Sequence, residues 1–287
     1  MKSDILLCSD LDRTLLPNGP QPESPEARRL LQRLAERPEL TLAYVSGRHQ
    51  ALLMQAIEEY DLPVPDYAIG DVGTTIYAIE DGHWRPWDSW YEEIAPDWRG
   101  KTREDLQAWF ADIELLRLQE AEKQNTFKLS YYAPADTERD HLLSQMRQRL
   151  DAEGIRASLI WSIDEATDTG LLDVLPEHAT KLHAIKFLMK HKGFTPEQTV
   201  FAGDSGNDLP ALTSGLQAVL VKNARDDVRD EALQQVQAAG HSDCLYLAHG
   251  GLLGMNGNYS AGVLEGLVHF LPQTRDWLQD VSSGKAS

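Results

Sequence analysis

The chain has 287 residues, a formal net charge of −18 at pH 7 and two cysteines, Cys8 and Cys244. Phosphate-rich surfaces repel such an acidic protein at long range, so nucleic acids and anionic membranes are excluded as expected partners. Two cysteines do not make a disulfide framework, and no stretch has the composition of a signal peptide or a membrane span. We therefore expect a cytoplasmic protein, long enough for two domains.

The first predicted element is a strand that ends in two carboxylates. The apolar run Ile5–Leu7 is typical of a central strand in a parallel sheet, and Asp10 and Asp12 follow it. Side chains two residues apart in an extended chain point the same way, so both carboxylates can face one small volume. Like charges this close need a cation or a shared proton, and oxygen ligands favour Mg²⁺. A polar turn at the strand end is the alternative from this stretch alone.

Helices and strands alternate in the next part of the chain. Ser24 is predicted to cap a helix that begins at Pro25, and a strand over 40–45 runs into Ser46-Gly47-Arg48. A further helix and a strand over 66–69 follow. This alternation predicts a parallel α/β sheet with a Rossmann-like order of elements.

The composition changes between about Tyr77 and Gly170, which hold every tryptophan except Trp277. Predicted strands over 126–132 and 155–160 flank a helix whose apolar positions run from 142 to 150. We interpret this stretch as a smaller α/β domain over 79–171, inserted into a core domain formed by residues 1–78 and 172–287.

The α/β pattern resumes at Leu171. Thr180 is predicted to cap a helix with Lys181 in its first turn, where the helix dipole disfavours a cation unless an anion is bound nearby. A buried strand over 199–202 then leads into Gly203-Asp204-Ser205-Gly206-Asn207-Asp208, so carboxylates again follow a strand directly. One site that binds a metal and a phosphate would explain the polar groups at all of these strand ends and helix starts.

These motifs resemble those of phosphatases of the haloacid dehalogenase superfamily. Asp10-Leu11-Asp12-Arg13-Thr14 is similar to its DxDxT motif, Ser46-Gly47-Arg48 to its second motif, Lys181 to its third, and residues 203–208 to its GDSxND fourth motif. The inserted domain resembles the cap of the subgroup that includes the sucrose-phosphate phosphatases, and segments 44–48, 73–77, 127–131 and 171–176 are similar to those enzymes in particular. Arg13 stands where the superfamily usually has Asn or Gly.

The resemblance implies Mg²⁺-dependent hydrolysis of a sugar phosphate monoester through an aspartyl-phosphate. Asp10 would be the nucleophile and Asp12 the general acid and base, while Ser46 and Lys181 would bind the phosphate. The implied metal site consists of Asp10, Asp12 through its backbone carbonyl, Asp204 and, orienting the shell, Asp208. Further substrate contacts are implied at Gly47, Arg48, Lys128 and Asn207.

The substrate implied by the resemblance is sucrose 6-phosphate, and the nearest alternative is another disaccharide phosphate, such as mannosylfructose phosphate. A sugar phosphomutase uses the same pair of aspartates but returns the phosphate to the sugar. Two further alternatives are disfavoured. A phospho-acceptor signalling domain usually lacks a cap domain, and a non-catalytic module that binds a phosphosugar would not need all of the catalytic residues that this sequence has. We expect a monomer whose substrate is supplied by a sugar-phosphate synthase.

Overall fold

The computed structural model describes residues 4–164 and 167–282. Its helices and strands follow one another along the chain as β1 (Ile5–Ser9), α1 (Ala27–Ala35), β2 (Leu40–Val45), α2 (Gln50–Glu59), β3 (Tyr67–Gly70), β4 (Thr75–Glu80), β5 (His83–Pro86), α3 (Asp88–Ile94), α4 (Arg103–Trp109), β6 (Arg117–Leu118), β7 (Leu129–Pro134), α5 (Arg139–Ala152), β8 (Ala157–Asp164), β9 (Thr169–Pro176), α6 (Lys181–Lys192), β10 (Thr199–Gly203), α7 (Leu209–Leu212), β11 (Gln217–Leu220), α8 (Asp226–Ala239), β12 (Leu245–Leu247), α9 (Ser260–Phe270) and α10 (Thr274–Ser282).

The larger sheet has eight strands in the order β12-β11-β10-β1-β2-β3-β4-β5. The six strands from β12 to β3 pair in parallel, while β4 and β5 add an antiparallel edge. Strand β1 lies near the centre and is buried along its whole length, because buried apolar clusters cover both faces of the sheet. The predicted α/β fold with a parallel-sheet core is therefore confirmed.

A second sheet of four antiparallel strands is built from the inserted part of the chain, in the order β6-β7-β9-β8. It has its own apolar core, in which Trp98, Phe110 and Met146 are almost completely buried. Strand β5 still pairs with β4 of the larger sheet, whereas β9 continues to Pro176 in the smaller one. The division at 78 and 171 into core and cap domains remains a prediction.

The prediction that Ser24 caps the first helix is wrong. Helix α1 begins at Ala27, and no side chain caps it. The Ser24 hydroxyl instead accepts a hydrogen bond from the backbone N–H of Asn256, at 2.9 Å, so a contact distant in sequence outweighs the local capping pattern. None of the helices in the described ranges is long and apolar enough to cross a bilayer.

Candidate active site

Asp10 and Lys181 meet at the carboxyl end of the central strand. Asp10 follows β1 directly, and its backbone N–H donates to the carbonyl of Ala202 in the neighbouring β10. Lys181 is the first residue of α6, and its Nζ donates to Asp10 Oδ1 at 2.7 Å and to Asp208 Oδ1 at 2.8 Å. Burial disfavours the ammonium, but these two carboxylates outweigh it and raise the pKa of Lys181. Lys181 is therefore a firmly charged cation beside the Asp10 carboxylate.

Three buried carboxylates form a cluster around this lysine. Oxygen atoms of Asp10, Asp204 and Asp208 lie within 4.8 Å of one another. The hydroxyl of Thr14 lies 3.4 Å from Asp10 Oδ2 and 3.2 Å from Asp204 Oδ1, so it bridges the two side chains. A second cation, Arg13, lies beside the cluster, with its Nε 3.4 Å from Asp204 Oδ2.

Asp208 is held differently from the other two carboxylates. Its Oδ2 accepts hydrogen bonds from the backbone N–H of Asp204, the backbone N–H of Ser205 and the Ser205 hydroxyl, at 3.2, 3.1 and 2.9 Å. Gly203 makes this close packing possible, because a Cβ there would lie 2.7 Å from the side chain of Asp208. Asp208 therefore organises the Gly203–Asp208 turn and orients Lys181, and both of its oxygens already have partners.

The carboxylate oxygens of the acidic cluster are suitable ligands for a divalent cation. Burial raises the pKa of Asp10 to about 7, and the neighbouring charges of Asp208 and Asp204 add to this against the opposing effect of Lys181. Burial and the charge of Asp208 likewise raise the pKa of Asp204 to about 6. The carboxylates carry more negative charge than the adjacent lysine and arginine balance, and hard oxygen ligands match Mg²⁺. Asp10 and Asp204 are the side chains that fit this role.

Asp12 lies beside this cluster in a more open position, with a side chain that is 44% exposed. Arg48 donates to both of its oxygens, from Nε at 2.9 Å and from Nη2 at 2.6 Å, and Asn18 Nδ2 donates to Oδ1 at 2.8 Å. Partial burial favours the neutral acid, but the hydrogen bonds and charge of Arg48 outweigh it and hold the pKa of Asp12 below its usual range. Asp12 is therefore a charged and oriented carboxylate.

Two adjoining cavities, of about 600 and 570 Å³, lie between the two sheets. The first contains the reactive groups, and its wall includes Ile160 and Trp161 of β8. The second is lined by polar side chains, among them Gln119 and Tyr132. Gly47, Val72, Ser162 and Asp173 line both, so a ligand at the acidic cluster can extend from one cavity into the other.

The structure distributes the predicted site residues over these two cavities. Those that line the first are Asp10, Asp12, Gly47, Lys181, Asp204 and Asn207. Arg48 and Lys128 line the second, where Lys128 Nζ is 4.0 Å from Asp71 Oδ1. Ser46 is buried at the end of β2 and its hydroxyl accepts from the backbone N–H of Arg48 at 3.2 Å, so its contact with phosphate stays a prediction.

Sequence reasoning assigned no role to Thr14, Asn18 or Asp71. Thr14 is the last residue of the DxDxT motif, so the motif itself was a usable signal. Asn18 lies in the loop after β1 and reaches back to Asp12. Nothing in the local sequence marks Asp71, which follows β3 and pairs with Lys128, a residue that lines the second cavity.

Comparison with known proteins agrees with this geometry. Residues 3–271 match the family described as sucrose-6F-phosphate phosphohydrolase. The chain belongs to this family. The chain is therefore a phosphoric monoester hydrolase of the haloacid dehalogenase superfamily, as its motifs predicted.

Individual relatives support the assignment to the sucrose-6F-phosphate phosphohydrolase family. The chain is 62% identical over 279 residues to a HAD-like hydrolase of Nitrosococcus oceani, covering 97% of this chain and 75% of that protein. It is 28% identical over 273 residues to sucrose-phosphatase 1 of Nicotiana tabacum, covering 93% of this chain and 59% of the tobacco protein. The relatives also include the mannosylfructose-phosphate phosphatase of Agrobacterium fabrum, 26% identical over 271 residues, covering 94% of this chain and 98% of that protein.

A solved structure is similar over almost the whole chain. It is the sucrose-phosphatase of Synechocystis in complex with sucrose and phosphate, with a TM-score of 0.68 and 26% identity. The similarity covers 93% of this chain and 98% of the Synechocystis chain. The fold of the chain is thus shared with a sucrose-phosphatase whose structure holds sucrose and phosphate.

Proposed function

We propose that the chain hydrolyses the phosphate monoester of a disaccharide, sucrose 6-phosphate, to the sugar and inorganic phosphate, with Asp10 as the nucleophile. The observation that carries the proposal is the contact of Lys181 Nζ with Asp10 Oδ1 at 2.7 Å, on a carboxylate that faces the first cavity. A lysine so placed can bind a phosphate oxygen while a carboxylate oxygen of Asp10 attacks phosphorus.

The residues that surround Asp10 divide the reaction into two displacements. In the first, Asp10 attacks phosphorus, the bond to the sugar oxygen breaks, and Asp12 gives its proton to the departing oxygen. In the second, Asp12 removes a proton from water, which attacks the aspartyl-phosphate and releases phosphate. Lys181 stabilises the charge on the phosphate oxygens in both steps.

The resting state of Asp12 suits the second step, because Arg48 and Asn18 keep the carboxylate charged and oriented. For the first step Asp12 must carry a proton. A substrate phosphate bound at Asp10 lies in the first cavity, which Asp12 also lines, and brings negative charge close to Asp12. A nearby like charge raises the pKa of a carboxyl group. Substrate binding itself therefore favours the protonated form that the first step needs.

Asp10 and Asp204 would hold Mg²⁺, together with the backbone carbonyl of Asp12, while Asp208 orients the turn that carries Asp204. When bound, Mg²⁺ would offset the repulsion between the Asp10 carboxylate and the phosphate dianion. Thr14 bridges Asp10 and Asp204 and keeps their oxygens close enough for a shared cation.

The substrate is proposed from the two cavities and from the relatives. The second cavity is large and polar enough for a second sugar ring, since Arg48, Lys128 and Tyr132 line it together with Gln119 and Asp173. Sucrose-phosphatases and a mannosylfructose-phosphate phosphatase are both among the relatives, so a second disaccharide phosphate is the specific alternative. In both cases the phosphate would lie at Asp10 and the distal ring in the second cavity.

A panel of sugar phosphates tests the proposal. Phosphate release is measured with sucrose 6-phosphate, mannosylfructose phosphate, glucose 6-phosphate and fructose 6-phosphate, with Mg²⁺ and after chelation by EDTA. We expect the highest kcat/KM with sucrose 6-phosphate and loss of turnover with EDTA that Mg²⁺ restores. A higher kcat/KM with mannosylfructose phosphate would show that this disaccharide phosphate is the substrate instead. Transfer of the phosphate back to the sugar, without release of free phosphate, would indicate a mutase.

The cytoplasmic location, the monomeric state and supply of the substrate by a sugar-phosphate synthase stay predictions. Gel filtration checks the monomeric state, and copurification with a synthase checks the last of these.

A further inference from the structure

Asp97 is a buried carboxylate far from the acidic cluster in sequence, in the short helical turn Ala95–Trp98 that follows α3. It is 2% exposed, and three groups from two other segments contact it. The backbone N–H of His178 donates to Oδ2 at 2.7 Å, the His178 ring Nδ1 lies 2.9 Å from Oδ1, and Arg156 Nη2 lies 2.8 Å from Oδ1. A carboxylate with this many partners fixes the position of the chain at His178.

His178 lies in the short link between β9 and α6, three residues before Lys181. The backbone N–H of Thr180 donates to the carbonyl of His178 at 2.9 Å, and the Thr180 hydroxyl then accepts from the backbone N–H of His183 at 3.1 Å. A continuous set of hydrogen bonds therefore runs from Asp97 through His178 and the helix cap to the first turn of α6.

Close packing against Gly73 also fixes the start of α6. A Cβ on Gly73 would lie 2.8 Å from the carbonyl carbon of Thr180 and 3.1 Å from the backbone nitrogen of Lys181. The Gly73 carbonyl is itself held by the indole N–H of Trp90 at 3.1 Å. The backbone at Thr180 and Lys181 is thus fixed both by a tightly packed glycine and by the segment that Asp97 holds.

We infer that Asp97 is a positioning residue for Lys181, which it places within reach of the phosphate by holding the link between β9 and α6. The inference rests on the proposed role of Lys181 as a phosphate ligand. Asp97 comes from the inserted part of the chain and Lys181 from the core, so the contact also couples the two sheets at the point where the phosphate binds. An error of about 1 Å in such a group can cost about 100-fold in rate.

A double-mutant cycle tests this role with p-nitrophenyl phosphate, whose small leaving group needs little from the second cavity. Asp97→Asn keeps the shape of the side chain but removes its charge, and we expect kcat to fall by about 10- to 100-fold with a smaller change in KM. In the Lys181→Ala background the same substitution should change kcat by less than about twofold, because the group that it positions is gone. Independent, multiplicative losses, or an unchanged kcat in Asp97→Asn alone, would overturn the inference.

Glu265→Gln is the matched control. Glu265 is also a buried carboxylate, 6% exposed, and accepts from Tyr246 Oη and from the backbone N–H groups of His249 and Gly250 at 2.8, 3.0 and 2.8 Å. It holds a loop that does not lead to Lys181. We expect this variant to lower the unfolding temperature while kcat stays unchanged; an equal loss of kcat would mean that general destabilisation, not positioning, explains the effect of Asp97→Asn.

Calorimetric binding of inorganic phosphate in the presence of Mg²⁺ gives a readout independent of turnover. Phosphate should bind more weakly to Asp97→Asn and to Lys181→Ala than to the wild-type chain, and no more weakly to the double variant than to Lys181→Ala. A wild-type chain that binds phosphate but hydrolyses no sugar phosphate would contradict the proposed function and leave this comparison intact. If Asp97→Asn does not fold, His178→Ala removes the ring contact with Asp97 and keeps the backbone contact, at a side chain that is about half exposed. A smaller loss of kcat that disappears in the Lys181→Ala background would support the inference, and a loss that persists there would overturn it.

Discussion

Arg48 and Asp12 form a two-point contact, in which both oxygens of the Asp12 carboxylate accept hydrogen bonds from one guanidinium group. The two residues are 36 positions apart and come from loops that follow the adjacent strands β1 and β2. Arg48 was predicted to contact the substrate, yet its side chain is committed to the residue proposed as the general acid and base. We therefore expect its main effect to be on the protonation of Asp12.

Replacement of Arg48 tests this relationship. Arg48→Ala removes two charge-assisted hydrogen bonds that hold the pKa of Asp12 below its usual range, so this pKa should rise. The sugar-releasing step uses the protonated form, so the alkaline limb of the kcat/KM profile with a sugar phosphate should move to higher pH. Arg48→Lys, which retains a charge but not the paired geometry, should shift the limb less. An alkaline limb in the same place for all three proteins would show that Arg48 does not control Asp12.

The acidic cluster predicts an unusual dependence of stability on pH. The pKa values of Asp10 and Asp204 are raised to about 7 and about 6 from ordinary values of 3.8, so between pH 4 and 7 the folded chain binds more protons than the unfolded chain. The free energy of unfolding contributed by these groups therefore falls as pH rises through that window. Urea denaturation of the metal-free chain from pH 4 to 8 measures it, and Asp204→Asn should flatten the fall.

Mg²⁺ should oppose this fall in the free energy of unfolding when it is added in the same denaturation experiment. A cation bound to the ionised carboxylates stabilises the folded chain most where they have lost their protons, above pH 7. The gain in unfolding free energy with Mg²⁺ should therefore grow with pH in the wild-type chain and be much smaller in Asp204→Asn. A gain of the same size in both proteins would place the metal elsewhere.

Asp12→Ala should separate the two displacements. A positioned general acid contributes about 10² to 10⁴ in rate, and a sugar oxygen needs that proton far more than a nitrophenolate does. With p-nitrophenyl phosphate the variant should release a burst of roughly one nitrophenolate per chain and then turn over slowly, because the water that cleaves the aspartyl-phosphate also needs Asp12. Equal losses with both kinds of substrate and no burst would mean that Asp12 only shapes the metal site.

Much of the catalytic core could be predicted from the sequence, because short-range patterns determine it. The strand over 40–45 coincides with β2, since a continuous apolar run suits a strand covered on both faces. The strand predicted over 199–202 is extended by a single residue, to Gly203. Asp10, Asp204 and Lys181 lie together, as predicted from their positions at strand ends and a helix start. Parallel strands bring their carboxyl ends to one edge of the sheet.

Features that depend on contacts between distant segments were not predictable in this way. The antiparallel strands β4 and β5 went unrecognised, and the strand predicted over 126–132 is β7 at Leu129–Pro134. The cap predicted at Ser24 failed because its hydroxyl accepts a hydrogen bond from Asn256. The pairing of Arg48 with Asp12 depends on β2 lying next to β1 and on the direction of both side chains. Charge and hydrophobic spacing in one segment carry no information about such partners.

Rapid acid quenching of the reaction tests the central claim most directly. The enzyme is mixed with Mg²⁺ and sucrose 6-phosphate labelled on phosphorus, quenched within one turnover, digested and analysed by mass spectrometry. We predict one labelled peptide, phosphorylated on Asp10, which forms and decays at rates that account for turnover and is absent from Asp10→Asn, whose turnover should fall by about 10⁴-fold or more. Full phosphate release within one turnover without any phosphorylated peptide, or label on a residue other than Asp10, would contradict the account.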